Sequence, residues 1–210
     1  MTLKLAPTPL VAILRGVRPD EAEAIAEAIV EAGFGAIEVP LNSPEPLASI
    51  ARIALRFGER VLVGAGTVLE PREVDDVAEA GARLVVSPNA DRAVIERAAK
   101  LGLIVLPGVA TMTEAFEALK AGASGLKLFP GEAIPPEVVR AWRSVLPKET
   151  PLFPVGGVTP ERIGPYRRAG ADGFGIGSAL YKPGAGVEEV ARAARAFVSA
   201  WKEAGRPSSG

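Results

Sequence analysis

The sequence predicts an α/β protein folded as one (β/α)8 TIM barrel, a parallel eight-stranded barrel occupying residues 1–210 as a single domain. Three observations carry this expectation. First, a phrase recurs in which an Ala- and charge-rich stretch ends in glycine and enters a short apolar run. It reads EAGFGAIEVPL (31–41), RFGERVLVGAG (56–66), EAGARLVVSP (79–88), KLGLIVLPG (100–108), KAGASGLKLFP (120–130) and RAGADGFGIGS (168–178). Second, Gly33, Gly58, Gly81, Gly102 and Gly122 fall 20–25 residues apart, and Gly170 follows at about twice that interval. Third, most of the apolar runs are continuous rather than alternating, as in strands covered on both faces.

The elements follow in order. PLVAILR (9–15) is the first strand, and Pro19 opens the first helix, DEAEAIAEAIVEAG. Pro71 opens REVDDVAEAG and Pro160 opens ERIGPYRRAG, each proline being just inside a helix start, where its missing N–H costs nothing. Each glycine of the recurring phrase reads as a helix C-cap in the left-handed conformation. The series skips one member at SVLPKETPLFPVGG, where Leu146–Pro147 ends a helix without glycine and the seventh strand follows. Strands alternating with helices through short connections imply a parallel sheet with right-handed crossovers. A doubly wound open sheet has the same alternation. Eight evenly spaced units, and no G-x-G-x-x-G after the first strand, favour the barrel. Residues 205–210 read as a flexible tail.

Composition narrows the chemistry. The 210 residues hold 24 Lys+Arg against 25 Asp+Glu, with no His and no Cys. A Ser-His-Asp or Cys-His nucleophile system is excluded, as is a His- or Cys-ligated metal site. A carboxylate-only metal site stays open on composition, but the inward residues do not cluster that way, and the expectation is no metal and no cofactor. Without cysteine no disulfide forms, which fits a reducing compartment. The net charge of −1 gives no reason to expect nucleic acid as a partner. No uncharged apolar run approaches the roughly 18 residues of a membrane span, and Pro7 and Pro9 interrupt the amino-terminal apolar run, which makes it a poor signal peptide. A cytoplasmic protein without a membrane partner is the expectation.

Nearly all charges fall on helices or loops, and three fall on strands: Arg15, Glu38 and Lys127. In a barrel, inward charges near the carboxyl ends of strands belong to the active-site face. Leu126 and Leu128 flank Lys127; if they face the helices, Lys127 and Phe129 point inward. Burial favours the neutral amine, a nucleophile for carbonyl carbon. A lysine that snorkels to the rim or pairs with a carboxylate is the alternative. Glu38, between Ile37 and Val39, is placed inward by the same alternation and suits a proton shuttle, or an ion pair with Lys127 or Arg15. Arg15 offers a fork for a substrate carboxylate.

The glycine clusters VGGVTPE (155–161) and GIGSALY (175–181) follow the seventh and eighth strands, where many barrels cradle a phosphate through backbone N–H groups. Gly156, Gly157, Gly177 and Ser178 are the candidate donors; small residues that merely let the barrel close are the alternative. GAGT (64–67) places Thr67 toward the cavity as a hydrogen-bond donor, and Pro88 shapes its wall.

In IEVPLNSP, GAGTVL, VVSPN, LPGVAT, GLKLFP, FPVGGVTPE and GIGSAL, taken in order along nearly the whole chain, the sequence resembles the pyruvate-forming class I aldolases. That family cleaves 2-keto-3-deoxy-6-phosphogluconate, the galactonate epimer and 4-hydroxy-2-oxoglutarate. The resemblance implies Lys127 as Schiff-base lysine and Glu38 as general acid/base. It implies Arg15, Thr67 and Pro88 around the pyruvyl moiety, Phe129 packed beside the lysine, and Gly156, Gly157 and Ser178 at the phosphate end. It also implies a homotrimer acting on a small 2-keto acid phosphate. Phosphogluconate-type members often carry Arg where this chain has Asn42, and Thr where it has Val155; both departures look more like the phosphogalactonate type. A phosphosugar isomerase or epimerase barrel and a non-catalytic phosphosugar-binding barrel are the competing readings, and an inward Lys127 discriminates against both.

Overall fold

The computed structural model describes residues 5–205, so the expected tail lies, from residue 206 on, outside the described residues. Among them the elements run β1 (Thr8–Ile13), α1 (Pro19–Ala32), β2 (Phe34–Pro40), α2 (Pro46–Phe57), β3 (Leu62–Gly66) and α3 (Pro71–Glu79). Next come β4 (Leu84–Val86), α4 (Arg92–Lys100), β5 (Ile104–Leu106), β6 (Gly108–Val109) and α5 (Met112–Lys120). The chain continues through β7 (Leu126–Leu128), a 3-10 turn at Gly131–Ala133, α6 (Pro136–Arg143), β8 (Leu152–Pro154), α7 (Pro160–Arg168), β9 (Phe174–Ile176) and α8 (Val187–Glu203).

Local rules account for most of these boundaries. Pro19, Pro71 and Pro160 occupy the first turns of α1, α3 and α7. At α5, Thr111 Oγ1 accepts from the Glu114 N–H at 3.3 Å while Glu114 Oε2 accepts from the Thr111 N–H at 2.9 Å, a reciprocal capping box. Of the recurring-phrase glycines, Gly33, Gly81, Gly102, Gly122 and Gly170 have φ between 72° and 105°, the left-handed caps expected. Gly58 differs, with φ −59°. The turn runs on right-handed past it, and the Arg60 and Val61 N–H groups satisfy the Phe57 carbonyl instead.

The closed eight-stranded TIM barrel is not what forms. An open, curled, six-stranded parallel sheet has the order β5-β4-β3-β2-β1-β9, and a separate three-stranded parallel sheet has the order β6-β7-β8. Pro107, which has no N–H to give a ladder, divides the fifth apolar run, so that β5 pairs with β4 and β6 with β7. At the other edge a lone bridge, Val155 to Gly175, connects the two sheets beyond the end of β8. The alternation of strands and helices was therefore legible, but ladder closure was not: the strands concerned are only two or three residues long.

Side chains sort onto two faces of the sheets. Leu10, Ala12, Ile37, Val39, Val85, Val105, Leu126 and Leu128 join the core shared with the helices. Val11, Ala36, Leu84, Val86, Leu106 and Phe153 form a smaller cluster on the concave side. Because Leu126 and Leu128 face the helices, Lys127 between them faces the concave side. Among the described residues no helix is long and apolar enough to cross a membrane.

Candidate active site

Glu38 and Lys127 reach the concave side from β2 and β7, at 2% and 7% relative exposure. Glu38 lies between Ile37 and Val39, which anchor β2 to the helix-side core. Its Oε2 is buried without a hydrogen-bond partner among the described residues. Burial pushes the Glu38 carboxyl up to about 7, outweighing the opposing pull of Lys127 and Arg15. Burial likewise lowers the Lys127 ammonium below its ordinary value, Glu38 opposing and Arg15 assisting. Among the described residues no ion pair within 4.0 Å joins Glu38 to Lys127 or Arg15, although both cations act on its carboxyl through space. The Lys127 Nζ lies 4.6 Å from the centroid of the half-buried Phe129 ring. An amine biased toward neutrality thus faces a carboxyl able to gain or lose a proton near neutral pH, the combination that carbonyl addition needs.

The loops after β1, β2 and β3 converge on Arg15, which is exposed. Its guanidinium donates to Asn42 Oδ1 and, at 3.4 Å, to Thr67 Oγ1. Thr67 has φ +56°, a conformation rare for a β-branched residue. Asn42, notable in the sequence only as a departure, proves to be the partner that holds one side of the Arg15 fork. Pro88 is half-buried beyond β4, and a Cβ on Gly108 would meet its carbonyl oxygen at 2.3 Å, which fixes how closely β6 approaches.

The two glycine turns are neighbours, because the Val155–Gly175 bridge sets the starts of both side by side. Gly156 and Gly157 have φ 110° and 59°. Gly177 is half-buried, its carbonyl accepting from the Leu180 and Tyr181 N–H groups, and Ser178 is exposed. Three further residues at the site had no distinct sequence signal. Gly66 leaves the space that the Glu38 carboxylate fills. Arg162 Nη1 donates to the Gly157 carbonyl at 2.7 Å. Glu132 projects from the turn after β7 against Gly156 and Gly157. Only tertiary proximity brings these together.

A cavity of about 1130 Å³ opens elsewhere, at the amino-terminal ends of β1 and β9, lined by Pro9, Arg143, Arg168, Asp172 and Trp201 among others. Neither Glu38 nor Lys127 borders it. The buried titrating pair lies away from this hollow.

The family model described as KDPG and KHG aldolase matches residues 1–193. The 2-dehydro-3-deoxy-6-phosphogalactonate aldolase of Escherichia coli (strain K12) is 50% identical over 196 residues, covering 93% of this chain and 96% of that protein. A solved native KDPGal structure superimposes with a TM-score of 0.95 at 49% identity, covering 97% of this chain and 98% of that one. A KDPG aldolase from Legionella pneumophila, solved with pyruvate captured as a covalent carbinolamine, has a TM-score of 0.78 at 26% identity over 91% of this chain and 95% of its own. With half of the aligned positions shared along nearly the whole length, the chain belongs to the KDPG and KHG aldolase family.

Proposed function

We propose that the protein is a Schiff-base aldolase cleaving 2-dehydro-3-deoxy-6-phosphogalactonate to pyruvate and D-glyceraldehyde 3-phosphate. The gluconate epimer, and 4-hydroxy-2-oxoglutarate, which yields pyruvate and glyoxylate, are further substrates. The observation that carries the reading is the buried Lys127 amine facing the buried Glu38 carboxyl on the concave side. The identity to the phosphogalactonate aldolase supports the epimer, and the covalent carbinolamine of the Legionella relative supports the chemistry.

The neutral Lys127 amine adds to the ketone carbon, and Glu38 moves the protons that expel water as the carbinolamine becomes an iminium. Arg15, steadied by Asn42 and Thr67, receives the substrate carboxylate, and Pro88 and Phe129 wall the pyruvyl group. The carbon 3–carbon 4 bond then breaks: its electron pair enters the iminium to give an enamine, and Glu38 takes the carbon-4 hydroxyl proton. Gly156, Gly157, Gly177 and Ser178 hold the phosphate end of the aldehyde product until it leaves. Protonation of the enamine and hydrolysis of the resulting iminium release pyruvate and restore Lys127. The same proposal extends to one domain over residues 1–210, assembled as a homotrimer in the cytoplasm.

Pyruvate with borohydride tests the mechanism. Reduction of the iminium leaves a stable mass addition on Lys127, located by peptide mass spectrometry. An adduct on another residue, or Lys127→Ala with full cleavage activity, overturns it.

A further inference from the structure

We propose that Glu132 is a specificity-determining residue: its carboxylate opposes the phosphate end of the substrate and sets the preference between phosphorylated and unphosphorylated 2-keto acids. The inference rests on the reading of Gly156 and Gly157 as donors to that phosphate. Glu132 belongs to the 3-10 turn Gly131–Ala133, and this turn is clamped onto the loop that follows β8. The Gly131 N–H donates to the Val155 carbonyl at 2.7 Å, and a Cβ on Gly131 would lie 2.8 Å from the Gly156 oxygen. From there the Glu132 side chain lies across both glycines. An ideal Cβ on Gly156 would stand 2.5 Å from Glu132 Oε2, and one on Gly157 would stand 2.9 Å from Oε1.

Glu132 is exposed, and among the described residues it makes no hydrogen bond or ion pair. A cation reaches the same glycine: Arg162 Nη1 lies 2.8 Å from the Gly157 Cβ position, beside Glu132 Oε1 at 2.9 Å, and donates to the Gly157 carbonyl. The turn therefore has beside it one charge that attracts a phosphate monoester and one that repels it. A dianion arriving at the Gly156–Gly157 N–H groups either displaces the Glu132 side chain or stays beside a like charge. An unphosphorylated 2-keto acid with a single carboxylate, such as 2-dehydro-3-deoxygalactonate, carries that charge at the Lys127 end and meets neither penalty. Glu132 so weakens phosphate binding below what the glycine turn and Arg162 allow, and leaves unphosphorylated substrates untouched.

The test uses Glu132→Gln and Glu132→Ser in the full chain. Calorimetry with glycerol 3-phosphate, an unreactive phosphate monoester, is expected to show binding about three- to tenfold tighter in both variants, with the gain shrinking as ionic strength rises. KM for 2-dehydro-3-deoxy-6-phosphogalactonate falls by the same factor with kcat within about twofold, while KM for the unphosphorylated 2-dehydro-3-deoxygalactonate stays constant. Equal or weaker glycerol 3-phosphate binding in both variants, no binding by any form, or the same gain on both keto acids overturns the proposal. Failure of the aldolase reading shows up separately, as absence of a borohydride-trapped pyruvate adduct, and the calorimetric result decides the role of Glu132 either way.

Discussion

A Cβ atom on Gly66 would lie 1.9 Å from Oε2 of Glu38 and 2.4 Å from its Cδ. The last residue of β3 thus has no side chain because the carboxyl from the neighbouring strand occupies that volume. β2 and β3 pair in parallel with Pro40 opposite Gly66, so backbone pairing fixes this approach and the carboxyl has little room to retreat. Gly66→Ala is expected to expel the Glu38 carboxyl from its seat while leaving the ladder intact. Loss of a positioned acid/base lowers kcat by about 10²- to 10⁴-fold. Thermal unfolding measured alongside should show the fold retained, and near-normal kcat in a folded Gly66→Ala protein would contradict the placement of Glu38.

Glu38 also gives stability a pH dependence of unusual direction for a carboxylate. Burial holds it up at about 7, against 4.5 ordinarily. Between those values the folded state binds a proton that the unfolded chain has released. The stabilisation is therefore complete below about 4.5 and is lost as pH rises through about 7. Glu38→Gln carries no such proton. Its stability relative to wild type, from urea unfolding at a series of pH values, should climb across that window by about 3 kcal/mol and then level off. A difference independent of pH would mean that Glu38 is ionised throughout.

At the carboxylate end, the division of labour between Arg15 and Asn42 is measurable. Arg15 supplies the charge and fork, and Asn42 Oδ1 fixes the angle of the fork through one hydrogen bond. A charge-assisted contact is worth more than a neutral positioning bond, so Arg15→Ala should raise KM for the keto acid by about 10- to 100-fold and Asn42→Ala by about 2- to 10-fold. Arg15→Lys keeps the charge without the fork and should fall between them. Steady-state cleavage kinetics decide the ranking, and an Asn42→Ala effect exceeding that of Arg15→Ala would sink it.

How far the sequence could be read follows from which contacts are local. Lys127 and Glu38 were legible because strand alternation needs only their immediate neighbours, Leu126 and Leu128 or Ile37 and Val39. Helix starts at Pro19, Pro71 and Pro160 were legible for the same reason. Closure of the sheet was not, since it depends on whether two- and three-residue strands far apart in sequence share a ladder, and Pro107 removes a donor where continuity is needed. The same holds for Gly66, Arg162 and Glu132: each acquires its role from a neighbour on another loop, and a glycine or an exposed charge has no periodic signature of its own. Gly58 shows the converse limit. A glycine at the end of a helical phrase reads as a left-handed cap, yet the next residues closed the turn by another route.

The conformation of Thr67 links stability to binding. A β-branched residue at φ +56° costs about 1–2 kcal/mol relative to glycine, yet its Oγ1 accepts from Arg15. Thr67→Gly removes the strain and the hydroxyl together, while glycine's extra freedom in the unfolded chain returns about 0.5–1 kcal/mol of the gain. The variant should therefore be as stable as wild type or more so, by up to about 1 kcal/mol, with KM for the keto acid raised several-fold. Thr67→Val separates the two effects, keeping the branched side chain and its strain but not the acceptor, so it should share the KM increase without the gain in stability. Urea unfolding and cleavage kinetics on both variants resolve the matter. If Thr67→Gly is destabilised by more than about 1 kcal/mol, packing of the threonine outweighs its strain and the linkage does not hold.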